Sequence, residues 1–213
     1  MKELLMRYPA LTACKAQIEE AVALLCETCH QGGKVLLCGN GGSSADCDHI
    51  TGELMKSFLL PRSLTKEDET KIKDILGEGE EQFAKQLQYA IPAIALANQI
   101  ALGTAFANDV SPEMVYAQLV FGYGAKHDLL FAFSTSGNSK NIVNACKAAK
   151  IKGMKIVGFT GSKACQLDTY CDIVIKAPDT ETYKIQEYHL PIYHFICKEA
   201  EKTLFGGKIR SIV

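Results

Sequence analysis

The chain has 213 residues, 47% of them hydrophobic, which is enough for one domain with a substantial core. Its formal net charge of −1 argues against nucleic acid or an anionic membrane as an electrostatic partner. No apolar run approaches the roughly 18 residues that a membrane span requires. The N-terminus also lacks the pattern of a signal peptide. We therefore expect a single domain over residues 1–213, located in the cytoplasm, with no nucleic acid and no membrane among its partners.

Nine cysteines are present at irregular spacing. Their odd number and the expected cytoplasmic location favour free, mostly buried thiols over disulfides. Residues 26–30, CETCH, match the string at which c-type haem is attached. Because this string lies inside a helical pattern and no export signal precedes it, we expect no haem.

The first half of the chain alternates between helical patterns and short apolar runs. Apolar residues at nearly helical spacing predict a helix over residues 12–31, followed by a buried strand over residues 34–38. Residues 91–97 predict a second strand, and residues 101–107 a small buried helical turn. Between them, the dense charges of about 62–90 predict a helical insertion outside the α/β unit.

The second half continues the same alternation. A serine–proline pair predicts a helix from residue 111 to about 123. Strands are then predicted over residues 129–133, 155–159 and 172–176, and helices over residues 139–151 and 183–204. This order predicts an α/β fold, namely a doubly wound, mostly parallel five-stranded sheet with an N-terminal helix and a helical insertion.

Two glycine-rich turns each follow an apolar strand and open a helix. The turn at residues 134–139, STSGNS, offers hydroxyl groups and the backbone N–H groups of a helix N-terminus, which together suit one phosphate monoester. It has no lysine, so it is not a nucleotide-binding P-loop, and we expect no nucleotide. An ordinary strand–turn–helix connection is the alternative. A second such turn at residues 39–44 favours a ligand at the carboxyl ends of neighbouring parallel strands.

The helix after the turn at residues 39–44 carries His49 and Glu53, which lie four residues apart and therefore on one face. An imidazole and a carboxylate in this arrangement can share a metal ion or a proton-transfer task. A surface pair without function is the alternative.

Four segments occur in the order seen in the sugar isomerase (SIS) domain family. They are GNGGSSADCDHITGEL from residue 39, AND at residues 107–109, STSGNSKNIV from residue 134 and IQEYHLPIYH from residue 185. The chain resembles the phosphoheptose isomerase branch of this family over most of residues 12–205. The resemblance implies a SIS domain of flavodoxin-like fold. It also implies isomerisation of sedoheptulose 7-phosphate to D-glycero-D-manno-heptose 7-phosphate through an enediol.

The resemblance also assigns roles to residues. Glu53 would be the general base and His194 the general acid. The phosphate would be held by Ser134, Thr135, Ser136 and Ser139, and the sugar would be lined by Asn40, Gly42, Ser43, Asp109 and Gln186. One zinc ion per subunit would be bound by His49, Glu53, Gln186 and His194. Since Gln186 and His194 are eight residues apart, about 12 Å of helical rise, joint ligation requires Gln186 to lie at the helix start or to reach far.

The family is tetrameric, so the resemblance implies a homotetramer acting on a phosphorylated sugar. Three positions depart from the usual pattern near the sugar: Gly52, Ser57 and Tyr183. These departures keep a different phosphosugar open as the substrate. A non-catalytic phosphosugar-binding protein that associates with a replication initiator is another alternative. The carboxylate of Glu53 and the imidazole of His194 favour catalysis over that alternative.

Overall fold

The computed structural model describes residues 1–207 and contains one five-stranded parallel sheet. Its strands are β1 (Val35–Cys38), β2 (Ala93–Ala95), β3 (Leu129–Phe133), β4 (Lys155–Thr160) and β5 (Ile173–Lys176). They lie in the order β2-β1-β3-β4-β5, and every neighbouring pair is parallel. This is the flavodoxin-like order, so the predicted fold class is confirmed.

Helices cover both faces of the sheet, and successive side chains of its central strand point to opposite faces. In β3, Leu129, Phe131 and Phe133 belong to one buried cluster, whereas Leu130 and Ala132 belong to the other. The first cluster is closed by α2 (Lys15–His30), α3 (Gly42–Met55) and α10 (Thr182–Phe205). The second is closed by α7 (Val115–Tyr123) and α8 (Lys140–Ile151). Because helices cover both faces of β3, its near-continuous apolar run is fully buried.

Several boundaries differ from those expected. The predicted N-terminal helix over 12–31 begins with a 3-10 segment, Pro9–Cys14, and is preceded by α1 (Lys2–Arg7), which the pattern did not predict. The predicted strand over 91–97 is shorter, because the chain turns into a 3-10 helix at Leu96–Asn98. A further short helix, α9 (Leu167–Tyr170), was also not predicted.

The segment expected to be a buried helical turn is instead α6 (Ile100–Asp109), and the expectation of burial was wrong. None of its residues is buried, and Ile100 is 73% exposed. The apolar composition of this segment does not establish burial, because an apolar helix can also lie on a surface that contacts a partner.

The charged insertion contains two helices, α4 (Lys66–Leu76) and α5 (Glu81–Gln86), as predicted. Thr65 caps α4 by accepting a hydrogen bond from the backbone N–H of Asp68. At the base of the insertion, Ser63 and Gln88 form an antiparallel bridge, and the backbone N–H of Tyr89 donates to the carbonyl of Arg62. The two ends of the insertion are therefore hydrogen-bonded to each other where they join the rest of the domain.

All nine cysteines are free thiols, and seven of them are buried, as the sequence predicted. Cys26 and Cys29, the cysteines of the CETCH string, belong to the core between α2 and α10. Within residues 1–207, no helix combines the length and apolarity needed to cross a membrane.

Candidate active site

The candidate site lies where the strand order of the sheet reverses. From β1 the chain crosses to β2 on one side, and the next strand, β3, lies on the other side of β1. In doubly wound sheets, ligands bind outside the carboxyl ends of the strands at such a point. The two glycine-rich turns follow β1 and β3, and they therefore meet at this edge.

The first turn has a backbone shape that glycine permits. Gly41 has φ +55°, and a Cβ on Gly39 would lie 2.5 Å from the carbonyl oxygen of Ser43. Tyr116 of α7 donates from its hydroxyl to the carbonyl of Gly39 at 2.6 Å and fixes the end of β1. The turn leads directly into α3, whose first residue is Gly42.

The second turn gathers the predicted hydroxyls. Ser134 is buried, and its Oγ donates to Oγ of Ser139 at 3.0 Å and lies 3.5 Å from Oγ of Ser136. Ser139 is the N-cap residue of α8, although its hydroxyl accepts from Ser134 rather than from the helix backbone. Gly137 has φ +65°, and a Cβ there would overlap Sγ of Cys165. Hydroxyls and a helix N-terminus thus share one small turn, which is the arrangement that an anion requires.

A reciprocal amide pair joins the two turns. Asn40 donates through Nδ2 to Oδ1 of Asn141 at 3.0 Å, and Asn141 donates back to Oδ1 of Asn40 at 2.8 Å. Asn141 lies in the first turn of α8, directly after the hydroxyl-rich segment. The predicted sugar-binding turn and the predicted phosphate-binding turn therefore have a fixed spacing.

The predicted catalytic pair meets around His49. Nε2 of His49 lies 3.4 Å from Oε1 of Glu53 and 3.5 Å from Nε2 of His194, a residue 145 positions away in the sequence. Oε2 of Glu53 also accepts from Nζ of Lys56 at 3.3 Å. His49 and Glu53 are on α3 and His194 is on α10, so the packing of these two helices assembles the cluster.

The surroundings of His194 set its charge. Its ring stacks on Phe58, with centroids 5.8 Å apart. Burial and the nearby His49 lower the pKa of His194, against the opposing effect of Glu53. The imidazole therefore titrates below its ordinary range, which favours its neutral form at neutral pH.

Behind this cluster lies a buried polar chain. The hydroxyl of Tyr193, a 1% exposed residue, lies 3.0 Å from Nδ1 of His49 and donates to Oδ1 of Asp46 at 3.3 Å. Oδ2 of Asp46 is buried and has no hydrogen-bond partner among residues 1–207, and burial raises the pKa of this carboxyl group. The sequence reasoning missed Tyr193 and Asp46 as site residues.

Gln186 lies beside the first turn rather than beside His194. Its Nε2 is 3.5 Å from Oγ of Ser43, and a Cβ on Gly42 would lie 2.9 Å from that Nε2. Gln186 is the fifth residue of α10, which begins at Thr182, so it does not lie at the helix start, and joint ligation with His194 still requires a long reach of the side chain. The described geometry places Gln186 at the predicted sugar-binding turn.

Asp109 and His189 have surroundings that differ from those of the residues around His49. Asp109 ends α6 and is exposed, and its Oδ1 accepts from Nδ2 of the neighbouring Asn108 at 2.9 Å. His189 is fully buried and packs edge-on against Phe133 and Phe159, so it is a core residue. Burial lowers the pKa of His189 to about 4.

The donor atoms around His49 are those named in the metal prediction. Within residues 1–207, no group of three or more His, Cys, Asp and Glu side chains is arranged to hold a metal ion. The 3.4 Å and 3.5 Å separations around Nε2 of His49 are nevertheless close to the roughly 3.4 Å between two ligands of a tetrahedral zinc ion. Imidazole nitrogen and carboxylate oxygen are also ligands that zinc accepts.

Comparison with known proteins identifies the family. A sequence profile described as "SIS domain" matches residues 5–88 and 81–161. This covers well over half of the chain, and together with the five-stranded parallel sheet it shows that the chain belongs to the SIS domain family.

The relatives point to one branch within this family. The phosphoheptose isomerase of Burkholderia pseudomallei is 38% identical over 176 residues, covering 83% of this chain and 76% of that protein. The phosphoheptose isomerase of Clostridium acetobutylicum is 36% identical over 193 residues, covering 91% of this chain and 85% of that protein. A solved phosphoheptose isomerase from Francisella tularensis aligns with a TM-score of 0.75 at 28% identity, covering 92% of this chain and 91% of that one. The predicted resemblance to the phosphoheptose isomerase branch is confirmed.

Proposed function

We propose that this protein isomerises sedoheptulose 7-phosphate to D-glycero-D-manno-heptose 7-phosphate. The observation that carries the proposal is the meeting of Glu53 and His194 around His49, beside two joined glycine-rich turns. Glu53 and His194 supply a base and an acid, and the two turns supply a site for a phosphate and a polyol. The phosphoheptose isomerases at 36% and 38% identity support the same activity.

Glu53 acts as the general base in this proposal. It removes a proton from C1, the carbon beside the ketose carbonyl, and the electron pair forms the C1–C2 double bond of an enediol. The same proton, or one from solvent, is returned to C2 while O1 becomes the aldehyde oxygen. The side chain of Glu53 is 15% exposed, which shields the carboxylate from bulk water.

His194 acts as the general acid. It gives a proton to O2 as the enediol forms and recovers a proton from O1 as the aldose forms, so the enzyme ends with its original protons. The lowered pKa of His194 leaves its ring mostly neutral at neutral pH, so the proton that it gives to O2 is the N–H proton of the neutral imidazole. Ser134, Ser136 and Ser139, with Thr135, hold the phosphate, while Asn40 and Gln186 bind the hydroxyls of the sugar.

We also propose a zinc ion held by His49, Glu53 and His194, with Gln186 as the fourth ligand after a side-chain movement. Its chemistry when bound is polarisation of the substrate carbonyl. The support is the donor chemistry and the two donor separations near 3.4 Å.

A homotetramer in the cytoplasm is the further part of the proposal. The exposed apolar residues on α6, on α7 and in the segment between them support association, since Ile100, Val110 and Phe121 are 73%, 64% and 52% exposed. Asp109 is the last residue of α6. In an active site formed at subunit contacts, its side chain can reach the sugar. Light scattering that reports the mass of one chain, or of two, would contradict the tetramer.

The test is turnover of sedoheptulose 7-phosphate by the purified protein, with and without added Zn²⁺. Glu53→Gln is compared with Glu20→Gln, which changes an exposed glutamate on α2 in the same isosteric way. We expect turnover in the wild type and in Glu20→Gln, and a loss of at least a hundredfold in Glu53→Gln, in keeping with a general base.

The outcomes separate the alternatives. Absence of turnover with tight, equal binding of the phosphosugar by wild type and Glu53→Gln would contradict the heptose isomerase. A screen of other ketose phosphates would then distinguish an isomerase of another sugar from a non-catalytic binding protein. Zinc-independent turnover would contradict the metal while leaving the isomerase intact.

A further inference from the structure

Asp46 and Tyr193 lie behind the catalytic cluster, and both Tyr193 and the Oδ2 atom of Asp46 are buried. Among residues 1–207, the hydroxyl of Tyr193 is the only hydrogen-bond partner of the Asp46 carboxylate, and its Oδ2 has no partner. Leaving a carboxylate in such a site without any donor is costly, so the hydrogen bond from the Tyr193 hydroxyl is retained. The carboxylate accordingly fixes where the hydroxyl proton of Tyr193 points.

A tyrosine hydroxyl has one proton to donate. When that proton is on the hydrogen bond to Oδ1 of Asp46, the Tyr193 oxygen faces Nδ1 of His49, 3.0 Å away, as an acceptor. Nδ1 of His49 must then carry the proton of the neutral imidazole, and Nε2 must carry the lone pair. Nε2 is the atom that lies 3.4 Å from Glu53 and 3.5 Å from His194.

We infer that Asp46 and Tyr193 are positioning residues that hold His49 in the Nδ1-protonated tautomer, so that its unprotonated Nε2 faces Glu53 and His194. The inference rests on the proposed function for its consequence. With the opposite tautomer, Nε2–H would donate to Oε1 of Glu53 and engage the electron pair that the base needs. With this tautomer, Glu53 keeps that electron pair for the substrate proton, and Nε2 of His49 is available to accept a hydrogen bond.

The pair is well suited to this task because neither residue can move easily. Tyr193 is 1% exposed and packs edge-on against His49 and His194, with ring centroids 5.5 Å and 5.0 Å apart. Asp46 and His49 are three residues apart and therefore share a face of α3. A hydrogen-bonded partner on the second ring nitrogen commonly sets the tautomer and orientation of a metal-binding histidine, and its loss costs about 10- to 100-fold in metal affinity or activity.

The test reads the tautomer directly. Protein with ¹⁵N-labelled histidine is examined by long-range ¹H–¹⁵N correlation NMR at pH 8. The chain has five histidines, and the spectrum of His49→Gln assigns the signal of His49. We expect a protonated Nδ1 and an unprotonated Nε2 for His49 in the wild type. A wild-type His49 with its proton on Nε2 would overturn the inference.

Two tyrosine variants complete the test. Tyr193→Phe removes the hydroxyl, and we expect His49 to lose its single tautomer and kcat to fall about tenfold or more, with KM nearly unchanged. Tyr89→Phe is the control, because its hydroxyl donates to Asp68 in the insertion, away from the site. It should leave both the tautomer and kcat unchanged. An unaltered tautomer or an unaltered kcat in Tyr193→Phe would overturn the inference.

Failure of the inference can be told apart from failure of the proposed function. A wild type that converts the heptose phosphate with the opposite His49 tautomer keeps the function and loses the inference. A wild type with the expected tautomer but no turnover loses the function, and the consequence for Glu53 with it, while the hydrogen-bond assignment stands.

Discussion

The buried ion pair between Arg62 and Glu201 makes a sharp prediction about stability. Both side chains are 0% exposed, and Nε of Arg62 donates to Oε1 of Glu201 at 2.8 Å. The guanidinium also donates to the carbonyls of Leu54 at 2.6 Å and Glu53 at 3.2 Å, at the end of α3. Arg62→Met removes all three donors and leaves the carboxylate of Glu201 buried without its cation.

The expected cost follows from what Glu201 retains. It still accepts from the backbone N–H groups of Phe58, Leu59 and Leu60 at 2.7–2.9 Å, so it does not lose every partner. Breaking a buried pair by removing one member costs about 3–5 kcal/mol in general. For a chain of this size, each kilocalorie per mole lowers the melting temperature by about 2–4 °C, so we expect a fall of about 6–20 °C in Arg62→Met.

The assay is thermal and urea unfolding followed by circular dichroism, at matched protein concentration because association also stabilises. The control is Lys155→Met, which breaks an ion pair with Asp172 at 3.0 Å whose lysine side chain is 60% exposed. Exposed pairs contribute at most about 1 kcal/mol, so this variant should unfold nearly as the wild type does. A loss in Arg62→Met no larger than that in Lys155→Met would refute the reasoning.

The pH dependence gives the same pair a second test. Burial by itself would raise the pKa of Glu201, but the backbone donors of residues 58–60 and the guanidinium of Arg62 outweigh it and lower the pKa below the ordinary value of 4.5. A carboxyl group with a lowered folded-state pKa stabilises above its unfolded pKa and loses that contribution as the pH falls. We expect Glu201→Gln to flatten the loss of stability below about pH 4.5 while lowering stability at pH 7.

Three further variants test the site and the core. Gly137→Ala forces φ +65° on an alanine and an overlap with Cys165, and isothermal titration with inorganic phosphate should show binding weakened at least tenfold. Gly42→Ala places a methyl group 2.9 Å from Nε2 of Gln186, so steady-state kinetics should show a raised KM with little change in melting temperature. His189, whose pKa is lowered to about 4 by burial, destabilises the fold as the pH falls from 6.5 toward 4, because the unfolded state gains the proton first. The wild type should lose on the order of 3 kcal/mol across that range in urea titrations, and His189→Gln should lose less.

The sequence predicted the parts of this molecule that depend on local pattern. Near-continuous apolar runs marked the strands, and glycine-rich turns after two of them marked the edge where they meet. The sequence pattern predicted the burial of a helix less reliably than it predicted the presence of that helix. The segment that became α6 has the composition of a core helix, yet none of its residues is buried, and composition does not distinguish a core from an association surface.

The candidate site was only partly accessible from the sequence for a different reason. His49 and Glu53 are separated by one helical turn, so their spacing exposes the pair. Tyr193 and Asp46 are 147 positions apart, and neither has a spacing or motif that signals the other. Only the packing of α10 against α3 brings them together, and side-chain partners of this kind follow from the fold rather than from any stretch of the chain.

That packing also positions the residues proposed for catalysis, which lie on α3 and α10 rather than on the two turns. Three of the contacts that join α10 to α3 and the segment after it follow the same order along both. Gln186 meets Ser43 at the start of α3, His194 meets His49 in its middle, and Glu201 is joined through Arg62 to the carbonyl of Leu54 at its end. A shift of one helix by a single turn, about 5.4 Å, would break all three together. The buried ion pair therefore fixes the register that sets the distance between base and acid, although it lies beyond both of them.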